Sequence, residues 1–249
     1  MSAFLSTFLP VFAGLVEHLA DLLQPLCHAS AAAAAIVLFT ALVRLLVHPL
    51  SRAAARGQRA RTALRPRVAE LRKRHGGNQE AFQKAVLELH AAEKVSPLSG
   101  CLPGLLQLPA FFLLYHLFSS PAIGGHGNGL LSHELLGAPL GGRWSDVLAG
   151  AGGGGFGSAG LVYLALFAVV AAVATVNFRR ARRTAAGAGA GAVVGAEDQQ
   201  VPGVGAVTKV MPYLSYATLV TVAVVPLAAA LYVVTSTTWS AVERAVLYR

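Results

Sequence analysis

Arg44 is the residue of this sequence whose position most needs a chemical explanation. It lies in Ile36-Val37-Leu38-Phe39-Thr40-Ala41-Leu42-Val43-Arg44-Leu45-Leu46-Val47-His48-Pro49-Leu50, a run otherwise poor in polar groups. In a helix rising about 1.5 Å per residue its Cα stands about 9 Å inside Leu50. Thr40, four residues earlier, shares its face. An ionised side chain at that depth in hydrocarbon is costly unless it reaches water, an anion or carbonyl groups. Apart from Glu243, at the end of the last apolar run, those runs contain no Asp or Glu, so a permanent buried ion pair is disfavoured. The guanidinium then either snorkels to the nearer interface or lines a hydrated cavity, and depth alone leaves both open. Gln107, Thr175, Ser215, Thr218 and Thr221 could line such a cavity with Thr40, although scattered hydroxyls serve equally as contacts between packed helices.

Other chemistry is poorly supported. The sequence has no P-loop and no zinc-type ligand set, and His126 and His133 fall in a glycine-rich loop where a surface position is the simpler reading. Ser158, in Gly157-Ser158-Ala159-Gly160, has no suitably placed intramembrane histidine, which argues against an intramembrane protease. Cys27 and Cys101 do not make a disulfide framework. No cofactor and no metal are expected, and the chain is not read as an enzyme.

The elements that must position these residues follow from composition. Only 12% of the 249 residues are charged and 55% are hydrophobic, whereas soluble domains carry charge on about a quarter of their positions. The apolar residues gather into runs suited to a hydrocarbon core about 30 Å thick. The expected transmembrane helices are 30–50, 97–119, 161–178, 209–225 and 226–243, which makes an all-α membrane protein with a five-helix bundle. The last two runs are nearly continuous, and Pro226 separates them as a helical hairpin in preference to one long kinked helix. Residues 1–29 mix apolar positions with Pro10, Glu17, His18 and Asp21; they are read as an external interfacial segment, with a further crossing as the alternative. The n-region carries no positive charge, so a cleaved signal peptide is not favoured.

Lys and Arg set the orientation, because short loops rich in them stay cytoplasmic. They are absent from Met1 to Val43 and dense after the first run, sparse in 120–160, and dense again from Arg179 to Arg183. The N-terminus is therefore expected outside and the tail, 244–249, in the cytoplasm. The segment 120–160 becomes an external loop, and 179–208 a flexible cytoplasmic loop.

Residues 51–96 read as a cytoplasmic antiparallel helical hairpin. Leu64, Val68 and Leu71 form one helical stripe, Phe82, Val86 and Leu89 another, and His75-Gly76-Gly77-Asn78 supplies the turn between them. Pro66 is expected to kink the first arm or to begin it. The hairpin holds eleven Lys and Arg, among them Arg59, Arg61, Arg65, Arg67, Arg72, Lys73 and Arg74, against Glu70, Glu80, Glu88 and Glu93. Such a surplus suits lipid headgroups or ribosomal RNA as anionic partners, and equally a plain positive-inside signal. Without interleaved aromatics, sequence-specific nucleic-acid recognition is not expected.

These residues resemble a known family. The run Thr40 to Leu50 around Arg44, the hairpin ending Glu93-Lys94-Val95-Ser96-Pro97-Leu98-Ser99-Gly100-Cys101-Leu102-Pro103, then Gln107-Leu108-Pro109 and Tyr115, Met211-Pro212, and Pro226 followed by Leu231-Tyr232 and Ser236, are similar in order and spacing to the YidC/Oxa/Alb membrane protein insertases. The resemblance covers about residues 30–245. It implies a hydrophilic groove open to the cytoplasm and to lipid, with Arg44 as the groove arginine, Thr40 and Gln107 lining the groove, and Tyr232 on the span that contacts substrate. The implied activity is insertion and chaperoning of nascent membrane proteins at the bacterial plasma membrane, with the ribosome and the Sec translocon as candidate partners. Departures are Ser96 where asparagine is usual, Val233 where a second aromatic often follows the tyrosine, and the lack of a large periplasmic domain and of a long basic tail, as expected of a short form. The rival reading is a small transporter or channel in which Arg44 binds an anion permanently; the single unpaired intramembrane charge and the lack of an evident inverted repeat speak against it.

Overall fold

The structure, a computed structural model, describes residues 2–75, 77–93, 112–123, 126–187 and 211–247. Gln107, most of the expected second span, residues 188–208 of the expected cytoplasmic loop and the first two residues of the expected fourth span lie outside them. Among the described residues the chain is mostly helical, and two helical runs, Leu9–Leu64 and Ser158–Arg183, are long and apolar enough to cross a membrane.

Helix α1 (Ser2–Cys27) folds back onto α2 (Ala31–His75) through a 3-10 turn at His28–Ser30. Leu9, Ala13, Val16 and Ala20 form a buried stripe at spacings of four and three. It packs on the alanine-rich start of α2, where Ala32, Ala33 and Ala35 have no bulk to keep the helices apart. Phe12 meets Phe39 edge-on at 5.9 Å. The segment read as interfacial is thus docked along the first half of α2.

At 45 residues α2 is about 68 Å long, twice the depth of a hydrocarbon core. It runs unbroken from the Arg44 region into the basic arm and contains both Pro49 and Pro66. Neither proline starts a new helix; each forfeits one ladder hydrogen bond, and the alanines and arginines around them are strong enough helix formers to carry the helix on. After the turn, Asn78 caps α3 (Gln79–Ala92) by accepting a hydrogen bond from the Ala81 amide at 3.0 Å.

A short α4 (112–119) leads into the expected external loop. This loop is folded rather than merely flexible. It holds two antiparallel ribbons, Ala122–Ile123 with His126–Gly127 and Glu134–Leu135 with Ala138–Pro139, then α5 (Trp144–Leu148) and a 3-10 turn over Ala151–Phe156. The all-α expectation is corrected to that small extent. The second ribbon turns on Leu136 and Gly137, both with positive φ, the hairpin geometry that matches strand twist. Leu130, Ala138, Leu140 and Val147 tuck inward, and Trp144 packs against Tyr163 and Phe167 at 5.7 and 5.3 Å.

Helix α6 (Ser158–Gly187) continues nine residues beyond the expected end of its span, because Arg179 to Ala186 are good helix formers. A 3-10 turn (Met211–Tyr216) opens α7 (Ala217–Val224), and extended Val225 with Pro226 separates α7 from α8 (Leu227–Leu247). Residues Leu227 to Val234 are all buried, so α8 is the central helix of the bundle. The loop fastens its start: the Gly142 carbonyl accepts from the Leu227 amide (2.9 Å) and the Tyr163 hydroxyl (2.6 Å), and the Leu140 carbonyl accepts from the Ala228 amide (2.9 Å). Two of the orphan N–H groups of the α8 N-terminus are thereby satisfied.

These links fix directions. Tyr163 lies near the start of α8, and Arg180 donates to the Ala241 carbonyl at 3.4 Å, so α6 and α8 run parallel. Thr175 and Phe178 of α6 meet Tyr216 and Tyr213 ahead of α7, so α7 runs the opposite way. The bundle has a loop end and a hairpin end.

Asn128 ties α4 to the loop. Its amide donates to the Leu117 carbonyl (2.8 Å) and the Ser120 carbonyl (3.0 Å), and its carbonyl accepts from the Leu130 amide (3.2 Å). Replacing it with alanine strands buried backbone groups and is expected to cost about 1–3 kcal/mol, seen as a lower thermal midpoint in detergent. An unchanged midpoint would show that this cap contributes nothing.

Candidate functional site

The site is a polar seam along one side of the α2–α8 contact. Arg44 and His48 lie one turn apart on α2; Ser236, Ser240 and Glu243 follow at spacings of four and three on α8. Arg44 is half-buried, and its Nε donates to the Ser236 hydroxyl at 3.1 Å while its Nη2 donates to the same oxygen. Ser236 is buried, shares a hydrogen bond with the Tyr232 side chain one turn earlier, and accepts from Ser240 through its carbonyl at 2.9 Å. One turn beyond Arg44, His48 Nδ1 meets Glu243 Oε1 at 2.6 Å. Further along, Arg59 donates to the Leu247 carbonyl. The three pairings advance in the same sense on both helices, so α2 and α8 run parallel.

Among the described residues no carboxylate is paired with Arg44; its hydrogen bonds go to a neutral hydroxyl. The guanidinium is thus held by a neutral group and not by a carboxylate. A carboxylate brought to about 4 Å at an effective dielectric of about 20 would be attracted by about 4 kcal/mol.

Of the residues singled out in the sequence, the structure brings Arg44 and Tyr232 to one place, through Ser236. Thr40 lies one turn before Arg44; it is buried, and its hydroxyl donates to the Ile36 carbonyl at 2.7 Å. Tyr232 is buried too, its ring 5.9 Å from that of Phe118. Gln107 lies outside the described residues. Thr175, Thr218 and Thr221 each donate back to a carbonyl of their own chain segment, and Thr175 alone of the three also meets a neighbouring element, at the Tyr216 hydroxyl, 3.2 Å away. In the hairpin, Arg67 pairs with Glu93 and Arg74 with Glu70, so part of the basic surplus is held internally. Lys73 is exposed, Arg72 is half-buried, and the side chains of Arg61 and Arg65 lie outside the described set. Among the described residues no group of three or more His, Cys, Asp or Glu is arranged to hold a metal ion.

Sequence reasoning did not find the His48–Glu243 pair. The available signal was His48 four residues after Arg44 together with Glu243 seven after Ser236, but nothing local says that the two stripes face each other.

The profile of the 60Kd inner membrane protein family matches residues 23–249, nearly the whole chain. The chain belongs to that family. Relatives named "Membrane protein insertase YidC" are similar over 81 residues: 44% identical in Laribacter hongkongensis and 42% in Magnetococcus marinus, each alignment covering 32% of this chain and 15% of the relative, and 41% in Stenotrophomonas maltophilia, covering 32% and 14%. The chain thus aligns with about one seventh of the length of these curated relatives. The family is the one that the sequence resembled.

If the Arg44–Ser236 contact holds the seam together, Arg44→Gln and Ser236→Ala are not additive. A double-mutant cycle on thermal stability in detergent should give a coupling of about 1 kcal/mol; strict additivity would mean that the contact contributes no stability.

Proposed function

We propose that this protein is a membrane protein insertase and chaperone, working through a hydrophilic groove that opens to the cytoplasm and holds Arg44 at its centre. In this reading it has five spans at the positions expected from sequence, with the N-terminus outside and the C-terminal tail in the cytoplasm. The loop end of the bundle is the outer end. The opposed directions of α7 and α8, and the parallel course of α2, α6 and α8, are what such alternation requires.

The observation that carries this proposal is an arginine within an apolar helix whose hydrogen bonds go to a hydroxyl and which, among the described residues, has no counterion paired with it. Family membership supplies the context. A nascent chain brings carboxylates of its own, and Arg44 holds them while the adjoining apolar segment finds lipid. The energies favour a division of labour. The attraction is of the order of 4 kcal/mol, whereas each large apolar side chain leaving water gains about 1.5–3 kcal/mol. Partition of a client helix therefore drives insertion, and Arg44 positions the polar tail. Exposed apolar positions such as Leu42, Leu45 and Leu46 on α2 and Leu161 and Val169 on α6 suit contact with hydrocarbon. Nascent membrane proteins and the bilayer are the partners this reading needs, with the ribosome and Sec translocon as candidates at the basic hairpin.

Arg44→Ala should reduce insertion of single-span clients with acidic N-terminal tails at least tenfold, and far more than that of clients with neutral tails. Depletion and complementation with both client types measures it, and equal loss of the two would contradict the electrostatic role. Shortening residues 64–89 should slow growth while the protein stays in the membrane; its disappearance from the membrane would make the hairpin a structural element instead.

A further inference from the structure

Glu243 has no part in the function proposed above, yet its side chain is only 11% exposed near the end of an apolar helix. A carboxylate in that setting needs a partner, and the partner is His48 at 2.6 Å. His48 lies four residues beyond Arg44 on α2, a helical rise of about 6 Å, so the His48–Glu243 pair stands on the hairpin side of Arg44. Two long side chains can close such a gap.

We infer that Glu243 is a specificity-determining residue of the groove: an anion built into the protein, held on His48, that weakens the hold of Arg44 on acidic client tails. His48 is its positioning residue. While the imidazole holds the carboxylate, the competition is partial: among the described residues the guanidinium is hydrogen-bonded to Ser236 alone and can still meet a client. Released from His48, the carboxylate turns to Arg44 and competes for it. The inference rests on the insertase reading and adds a determinant of which clients are favoured.

The two residues should therefore act in opposite directions, which a simple brace between α2 and α8 would not do. The test uses the full chain in proteoliposomes, with variants matched for incorporated protein. Its clients are a pair of single-span proteins differing only in Asp or Asn at the tail. The readout is the ratio of acidic-tailed to neutral-tailed insertion. Glu243→Gln keeps the shape and removes the charge, and should raise the ratio about threefold or more. His48→Leu keeps the carboxylate and removes its partner, and should lower the ratio by a similar factor. Any other pattern, including both ratios unchanged or both moving the same way, overturns the inference. Arg44→Ala in the same assay separates the two levels of the claim: a ratio that fails to fall there rejects the insertase reading of Arg44 itself, whereas a selective fall with unresponsive Glu243 and His48 variants rejects only the role of this pair.

Discussion

A guanidinium set among leucines and valines must be given polar company, and in this protein the company comes from a helix nearly two hundred residues away in the chain. Arg44 reaches Ser236 only because α8 lies parallel to α2 at the right height. That height is set at the other end of the bundle, where carbonyls of Leu140 and Gly142 receive the first amides of α8 and Tyr163 anchors α6 to the same point. Small residues make the approach close: alanines at the start of α2 admit α1, and Ala228, Ala229 and Ala230 are buried as α8 enters the bundle. The polar seam is thus supported by the capped and packed start of α8 at the loop end.

The two ends of the bundle are accordingly unlike. At the loop end the backbone is capped and apolar groups are tucked inward. Toward the hairpin end the side chains along the seam become polar and then charged, from Ser236 through Glu243 to Arg59. Along the α2–α8 seam, polarity thus rises from Arg44 toward the hairpin end. In the orientation proposed above, that gradient suits a site reached from the cytoplasm.

Much of this was legible in the sequence, but unevenly. The long apolar runs, the oddity of Arg44 and the two stripes of the basic hairpin are local patterns, and local patterns carry through to helices. The folded loop was not legible, since glycine-rich sequence has no periodicity and its order comes from Asn128, Trp144 and the carbonyls that cap α8. The length of α2 was hidden by Pro49 and Pro66, which suggest boundaries that a helix of good formers overrides. The partners of Arg44 and Glu243 were hidden for a different reason: two stripes on distant helices do not reveal that they face each other until the bundle is assembled.

The central claim is that the Arg44–Ser236 seam meets the client. Photocrosslinking of a stalled, acidic-tailed nascent chain from position 240, one turn from Ser236 with Arg44 intact, tests it most directly, with Leu46 on the exposed face of α2 as the reference position. The account predicts a strong adduct from position 240 through the acidic tail, lost when the tail is neutral. Adducts of equal yield from both positions, or from position 46 alone, would contradict it.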